Sequence, residues 1–129
     1  MAYNSPEWGI AYYGSIFHNN VVSGVYITNG TPACLYQAEN SEAQCIVVDT
    51  IDQLNLYMSI IDKLPEVKAV VAFGVDKIPE EFSKDSRVYT WKAFLEVGKT
   101  VKDTESQEVI KRQKPGHCCC LIYTSGTTG

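Results

Sequence analysis

Apolar runs along this chain alternate with segments whose apolar residues recur every three or four positions. Residues that favour strands dominate four runs: 21–28, 44–49, 67–74 and 118–124. Helical spacing marks four other segments: the first 20 residues, 31–40, 50–64 and 91–98. Residues 75–89 are expected to form an exposed connection, and a polar stretch, 99–116, leads to the last strand. This alternation predicts an α/β fold with a mostly parallel sheet flanked by helices.

Capping residues indicate where the predicted helices begin and end. Ser5 is followed by a proline and a glutamate, which is typical of a helix N-terminus. Thr50 and Gln53 have the spacing of a capping box. Thr90 is a cap for the helix over 91–98, which Gly98 is expected to end.

Composition narrows the function classes. The hydrophobic content of 45% is enough to form a core, so a folded chain is expected. A net charge of −4 and a pI of about 5.1 argue against a nucleic-acid-binding protein, which usually has a basic face. No apolar run approaches the roughly 20 residues that span a bilayer, and the first residues lack the features of a signal peptide. An odd number of cysteines, five, fits a reducing intracellular compartment.

A histidine and three consecutive cysteines, at 117–120, raise the question of a metal site. Structural zinc usually takes four ligands in spaced pairs such as C-x2-C. Adjacent residues of a strand point to opposite faces, so Cys119 would point away from Cys118 and Cys120. Because no second ligand pair stands out, we assign no metal ligand. The cysteines are expected to be small core residues of the last strand, and both histidines are expected at the surface.

The glycine- and threonine-rich end of the chain raises a second question, that of a phosphate site. Glycines permit backbone angles that aim successive N–H groups at an anion, and hydroxyl side chains add further donors. The pattern is not the G-x-x-x-x-G-K-[ST] nucleotide loop, because no lysine follows. The residues alone leave open a phosphate nest or an ordinary surface turn. The candidates are Thr124, Ser125, Gly126, Thr127, Thr128 and Gly129.

The whole chain resembles a known family. The segment "YTSGTTG" after an apolar strand is similar to the phosphate-loop signature of the adenylate-forming, or AMP-binding, superfamily. Four longer segments resemble its long-chain acyl-CoA synthetases, most closely the bubblegum branch: "NSPEW", "GVYITNGTPACLYQAENSEAQCIVVD", "VYTWKAFLEVG" and "QKPGHCCCLIYTSGTTG". The resemblance covers all 129 residues in order. It departs at residues 18–20, where that branch has small residues, and the chain stops at Gly129 before the family's proline, lysine and glycine.

The resemblance implies a reaction and its substrates. Members activate a fatty acid with Mg²⁺-ATP to an acyl-adenylate and then form the thioester with coenzyme A. The phosphate loop holds the β- and γ-phosphates, so the six residues from Thr124 to Gly129 become the expected nucleotide-binding residues. No catalytic acid, base or nucleophile is assigned. Acyl chain length is not encoded here, because the family's acyl tunnel follows the loop.

The resemblance also sets the expected domain organisation. Residues 1–129 are expected to be a fragment of the N-terminal AMP-binding domain, incomplete at both ends, without a complete second domain and inactive alone. The parent ligase is expected in the cytoplasm, with peripheral association at a membrane such as the endoplasmic reticulum left open. Two other classes also remain: a free-standing nucleotide- or phosphate-binding module, and a non-catalytic remnant. Sequence beyond Gly129 in the parent transcript would discriminate them.

Overall fold

The computed structural model describes residues 1–124 and contains five α-helices and five strands in that range. The helices are α1 (Pro6–Phe17), α2 (Thr31–Asn40), α3 (Ile51–Met58), α4 (Trp91–Gly98) and α5 (Asp103–Lys111), with a 3₁₀ turn at Ile61–Lys63. The strands are β1 (Val22–Gly24), β2 (Cys45–Val48), β3 (Ala69–Ala72), β4 (Val88–Thr90) and β5 (Cys120–Ile122).

The strands form two separate sheets in which every pair is parallel. One sheet has the order β2-β3-β4, and the other pairs β1 with β5. Parallel neighbours require long crossovers. The crossover from β2 to β3 contains α3 and that from β1 to β5 contains α2 to α5, whereas residues 73–87, between β3 and β4, form turns without an α-helix. The predicted α/β fold with parallel strands flanked by helices is confirmed, although the sequence did not indicate that the strands divide into two sheets.

The hydrophobic core lies around β3, the central strand of the larger sheet. Val70 and Val71 are fully buried although adjacent strand residues face opposite sides, so both faces of β3 are covered. Val48 of β2 and Leu54 of α3 are also fully buried. The continuous apolar run at 67–74 therefore marks a strand covered on both sides, as its pattern predicted.

Helix α3 is shorter than the predicted helix over 50–64. It ends at Met58, where the Ser59 hydroxyl donates a hydrogen bond to the Leu56 carbonyl at 2.6 Å. Such local side-chain bonds compete with regular helix hydrogen bonding. The chain continues as the 3₁₀ turn, which still places Ile61 and Leu64 in the core. These two apolar residues therefore face the core as the helical spacing predicted, although they lie at a 3₁₀ turn rather than in an α-helix.

The capping box of α3 differs by one residue from its predicted form. The Thr50 hydroxyl accepts from the Gln53 N–H at 3.3 Å, as expected. The Gln53 side chain accepts from the N–H of Asp49 at 3.1 Å, rather than from that of Thr50. This bond ties the start of α3 to the residue that follows β2.

Two elements begin in stretches for which no helix or strand was predicted, 75–89 and 99–116. Strand β4 extends the larger sheet next to β3, and it follows an ion pair in which Arg87 binds Asp85 at 2.6 Å. This guanidinium holds the pKa of Asp85 below its usual value. Helix α5 has only two apolar residues, the adjacent Val109 and Ile110, so it lacks the apolar stripe by which helices are recognised.

Strand β1 is shorter than the run at 21–28 predicted. Its three residues pair with β5, and the chain then turns, with the Asn29 N–H donating to the Tyr26 carbonyl at 3.0 Å. Before β1, Asn19 has a φ of 59°, a left-handed conformation that asparagine tolerates. The departure from the family pattern at 18–20 is therefore accommodated locally.

Gly74 provides the sharpest packing constraint. A Cβ added there would lie 1.6 Å from the carbonyl oxygen of Asp49, because the ends of β2 and β3 run close together. We expect Gly74→Ala to lower the free energy of unfolding by about 3 kcal/mol or more, since the backbone must move apart. Chemical denaturation of the chain would measure this loss.

Gly98→Ala is the matched control, because nothing lies within 4 Å of a Cβ at that helical position. It should leave stability unchanged or slightly raised. Equal stability of the Gly74→Ala variant and the unchanged chain would show that β2 and β3 do not approach so closely.

Candidate functional site

Thr124, the first predicted phosphate-loop residue, lies just beyond the carboxyl end of β5. Val22 is in register with Cys120, and Gly24 is in register with Ile122, so β1 and β5 end at the same edge. Ligands of open α/β sheets bind at the carboxyl ends of parallel strands. Thr124 is exposed there and is available to a ligand. The other five predicted residues, 125–129, lie outside the described residues, so their role stays a prediction.

Tyr123, the residue before Thr124, is held against helix α2 by two contacts. Its hydroxyl donates a hydrogen bond to Oδ1 of Asn40 at 2.7 Å. Its ring meets that of Tyr36 edge-on, with centroids 6.3 Å apart and an interplanar angle of 81°. Tyr123 is the first residue of the segment YTSGTTG, whereas no motif marks Tyr36 or Asn40. Their one sequence signal is that Tyr36 and Asn40 are four residues apart on one helix face.

An open cleft of about 830 Å³ borders the same strands. Residues 22–26, in and just after β1, and residues 121–123, in and just after β5, line one part of it. Trp8 and Tyr12 of α1 line another. The two rings of α1 stack with centroids 5.2 Å apart. The edge that carries Thr124 is therefore next to a partly aromatic concave surface.

The cysteines before β5 are not core residues, contrary to the sequence-based expectation. Cys118 and Cys119 are exposed and precede the strand, and Cys120 is half-buried at its start. The reason is that β5 packs mainly against β1, which leaves Ile122 77% exposed. A hydrogen bond with Cys120 raises the pKa of the Cys119 thiol, which disfavours the reactive thiolate.

The two remaining cysteines differ in burial. Cys34 of α2 is fully buried, and its thiol donates to the Asn29 carbonyl at a sulfur–oxygen distance of 3.6 Å. Burial raises the pKa of this thiol. Cys45, at the start of β2, is exposed.

A model of the AMP-binding enzyme family matches residues 1–129, which is the whole chain. The chain belongs to the AMP-binding enzyme family. This membership confirms the resemblance on which the phosphate-loop assignment depends.

Three curated relatives narrow the comparison to one group within the AMP-binding enzyme family. It is 43% identical over 129 residues to the long-chain-fatty-acid–CoA ligase ACSBG2 of Xenopus laevis and 40% identical to the ligase ACSBG1 of Homo sapiens. It is 34% identical over 130 residues to the human ligase ACSBG2. Each alignment covers 100% of this chain but only 17% to 19% of the relative. The resemblance to the bubblegum branch is thereby confirmed, and the chain spans about a sixth of these relatives' length.

The histidines of this AMP-binding chain lie at the surface, as expected. The Nδ1 atom of His18 is 3.0 Å from the Gly14 carbonyl, and its Nε2 atom is 3.2 Å from the Ser106 hydroxyl. The Nδ1 atom of His117 is 3.1 Å from Oδ1 of Asn19. Both rings thus have hydrogen-bond partners within the fold.

Within residues 1–124, no group of three or more His, Cys, Asp or Glu residues is arranged to hold a metal. The donor set therefore gives no reason to assign Mg²⁺ or Zn²⁺ ligands to this part of the AMP-binding chain. Across the same residues, none of the helices has both the length and the apolar character needed to cross a membrane.

We expect freshly purified protein to contain much less than one zinc ion per chain. Adjacent cysteines cannot supply tetrahedral geometry by themselves, and no further ligand pair approaches Cys118 and Cys119 in the described residues. Elemental analysis after gel filtration in metal-free buffer would measure the ratio. A tightly held stoichiometric zinc that survives dialysis would contradict this expectation.

Proposed function

We propose that these residues form part of the ATP-binding machinery of a long-chain fatty acid–CoA ligase. The observation that carries the proposal is the position of Thr124, exposed at the shared carboxyl edge of β1 and β5, at the start of the sequence TSGTTG. The identity to three relatives named long-chain-fatty-acid–CoA ligases supports the same assignment.

The proposed reaction has two steps. The carboxylate of the fatty acid attacks the α-phosphate of ATP, which gives an acyl-adenylate and releases pyrophosphate. The thiol of coenzyme A, as its thiolate, then attacks the acyl carbonyl and displaces AMP to give the thioester. Mg²⁺ would neutralise part of the triphosphate charge, with ligands outside the set described here.

The role we assign to residues 124–129 is to hold the β- and γ-phosphates, which leave together as pyrophosphate. Hydroxyl and backbone N–H donors aimed at these oxygens stabilise charge that develops on the leaving group. They also orient the α-phosphate for attack. None of these groups is asked to transfer a proton.

Residues 1–129 by themselves are proposed to be inactive. The family's loop lysine, acyl tunnel and mobile C-terminal domain are not among them. We expect no pyrophosphate release from ATP and palmitate above a control without protein. Release that depends on palmitate would contradict the proposal that these residues need the remainder of a ligase. The proposed site of action is the cytoplasm.

The phosphate role is tested in the full-length ligase by changing Thr124 and Thr127 together to alanine. Hydrogen bonds to charged groups are worth roughly 1.5–3 kcal/mol each. Losing such bonds in the transition state should slow adenylation about tenfold or more per bond. The thioester step should lose less, because pyrophosphate has already left. Single-turnover adenylation is compared with thioester formation from pre-made acyl-adenylate.

Thr104→Ala is the matched control, because this exposed threonine of α5 lies outside the proposed site. It should leave both steps and the melting temperature unchanged. An unchanged adenylation rate in the double variant, or equal losses in both steps, would show that TSGTTG is not the phosphate-binding segment.

A further inference from the structure

Tyr123 links two parts of the fold that are far apart in sequence. Its hydrogen bond to Asn40 joins residues 83 positions apart, at an oxygen–oxygen distance of 2.7 Å. Its ring packs edge-on against Tyr36, one helical turn before Asn40. Two contacts of different kinds, one polar and one aromatic, therefore hold the same side chain against helix α2.

The contacts of Tyr123 with helix α2 lie between the end of β5, at Ile122, and the start of the proposed phosphate-binding segment, at Thr124. Strand β5 has three residues, and its described ladder is formed with β1 alone. Ile122, its last residue, is 77% exposed, so packing does little to hold the strand end. The contacts of Tyr123 consequently supply restraint at a point where the backbone has little other support.

Restraint at this point affects Thr124 because the two residues share a peptide bond. Binding groups that act on a developing charge must be held to within about 0.5 Å, and neighbouring side chains provide that precision. A tyrosine hydroxyl fixed to a helix limits the backbone conformations open to Tyr123 and thereby restricts the position of Thr124. Tyr123 needs no contact with phosphate to do this.

We propose that Tyr123, held by Asn40 and Tyr36, is a positioning residue for the phosphate-binding segment that begins at Thr124. The inference rests on the proposed function. It gives Tyr123 a role apart from the six predicted phosphate-binding residues and adds Tyr36 and Asn40, which lie outside the motif. It assigns helix α2 a part in ATP activation through the contacts of Asn40 and Tyr36 with Tyr123.

A positioning role and a merely structural role predict different kinetics. If Tyr123 positions the segment, its loss slows the step in which pyrophosphate leaves and spares thioester formation from pre-made acyl-adenylate. If the contact only stabilises the fold, both steps fall together with the melting temperature. The ratio of the two rates therefore separates the explanations.

The test uses three variants of the full-length ligase. Tyr123→Phe removes the hydroxyl and keeps the ring on Tyr36. Asn40→Leu removes the acceptor, whereas Asn40→Asp keeps an oxygen at the same position. We expect Tyr123→Phe and Asn40→Leu each to slow single-turnover adenylation about three- to tenfold, the range for one uncharged hydrogen bond. Asn40→Asp should recover most of the rate.

Combining Tyr123→Phe with Asn40→Leu should cost no more than either change alone, because both remove one interaction. Tyr13→Phe is the matched control. This tyrosine is exposed on α1, and its hydroxyl makes no hydrogen bond among the described residues. It should leave both rates unchanged.

A second measurement does not depend on activity. Amide hydrogen exchange at residues 121–124 of the 129-residue chain should be faster in Tyr123→Phe and Asn40→Leu than in the unchanged chain. Exchange in Asn40→Asp should be close to that of the unchanged chain.

The outcomes separate the inference from the proposed function. An unchanged ligase that forms no acyl-adenylate would overturn the proposed function and the inference with it. An active ligase in which Tyr123→Phe keeps full adenylation would overturn the inference alone. So would equal losses in both steps, or unchanged exchange at residues 121–124.

Discussion

Parallel strand pairing is the constraint on which the rest of this fold depends. Strands that run in the same direction cannot be joined by a tight turn, so the chain must cross a sheet face between them. Helix α3 and its 3₁₀ turn make this crossing between β2 and β3, and they fill the core as they do so. The alternation of helices and apolar runs in the sequence is the consequence of this requirement.

The same constraint creates the candidate site. Parallel strands end at one edge, and the carboxyl ends of β1 and β5 meet there although the strands lie near opposite ends of the chain. Thr124 gains its position from that pairing and from the contacts of Tyr123 with helix α2. A phosphate-binding segment built this way depends on long-range contacts that a short motif does not contain.

Exposed surface in this chain is concentrated away from β3. Helix α1 has apolar residues on its outer side, including Ile10, Tyr13 and Phe17, and none of its residues is fully buried. Strand β5 is similarly open at Leu121 and Ile122. The larger sheet thus contains most of the core, while the smaller sheet carries Thr124 at the carboxyl edge of its strands.

The sequence alone predicted the strands and helices whose pattern is set by burial. Two sequence patterns show this, because burial makes their residues apolar. One is the continuous apolar run at 67–74, and the other is the helically spaced stripe through Leu54, Tyr57, Ile61 and Leu64. The family and the six phosphate-loop candidates also came from the sequence, through a motif and segments that resemble known relatives. Only Thr124 of these candidates lies among the described residues.

The tertiary structure decided features that depend on distant partners. Strand β4 forms by pairing with the edge of β3. Its residues are only half-buried, so the sequence of β4 has no apolar pattern that predicts a strand. The cysteines at 118–120 stay largely exposed because β5 has a neighbour on one side only in the described fold. The contact between Tyr123 and Asn40 joins residues with no shared motif. Local periodicity encodes which face of an element is apolar, but which element covers that face is fixed only when the chain folds.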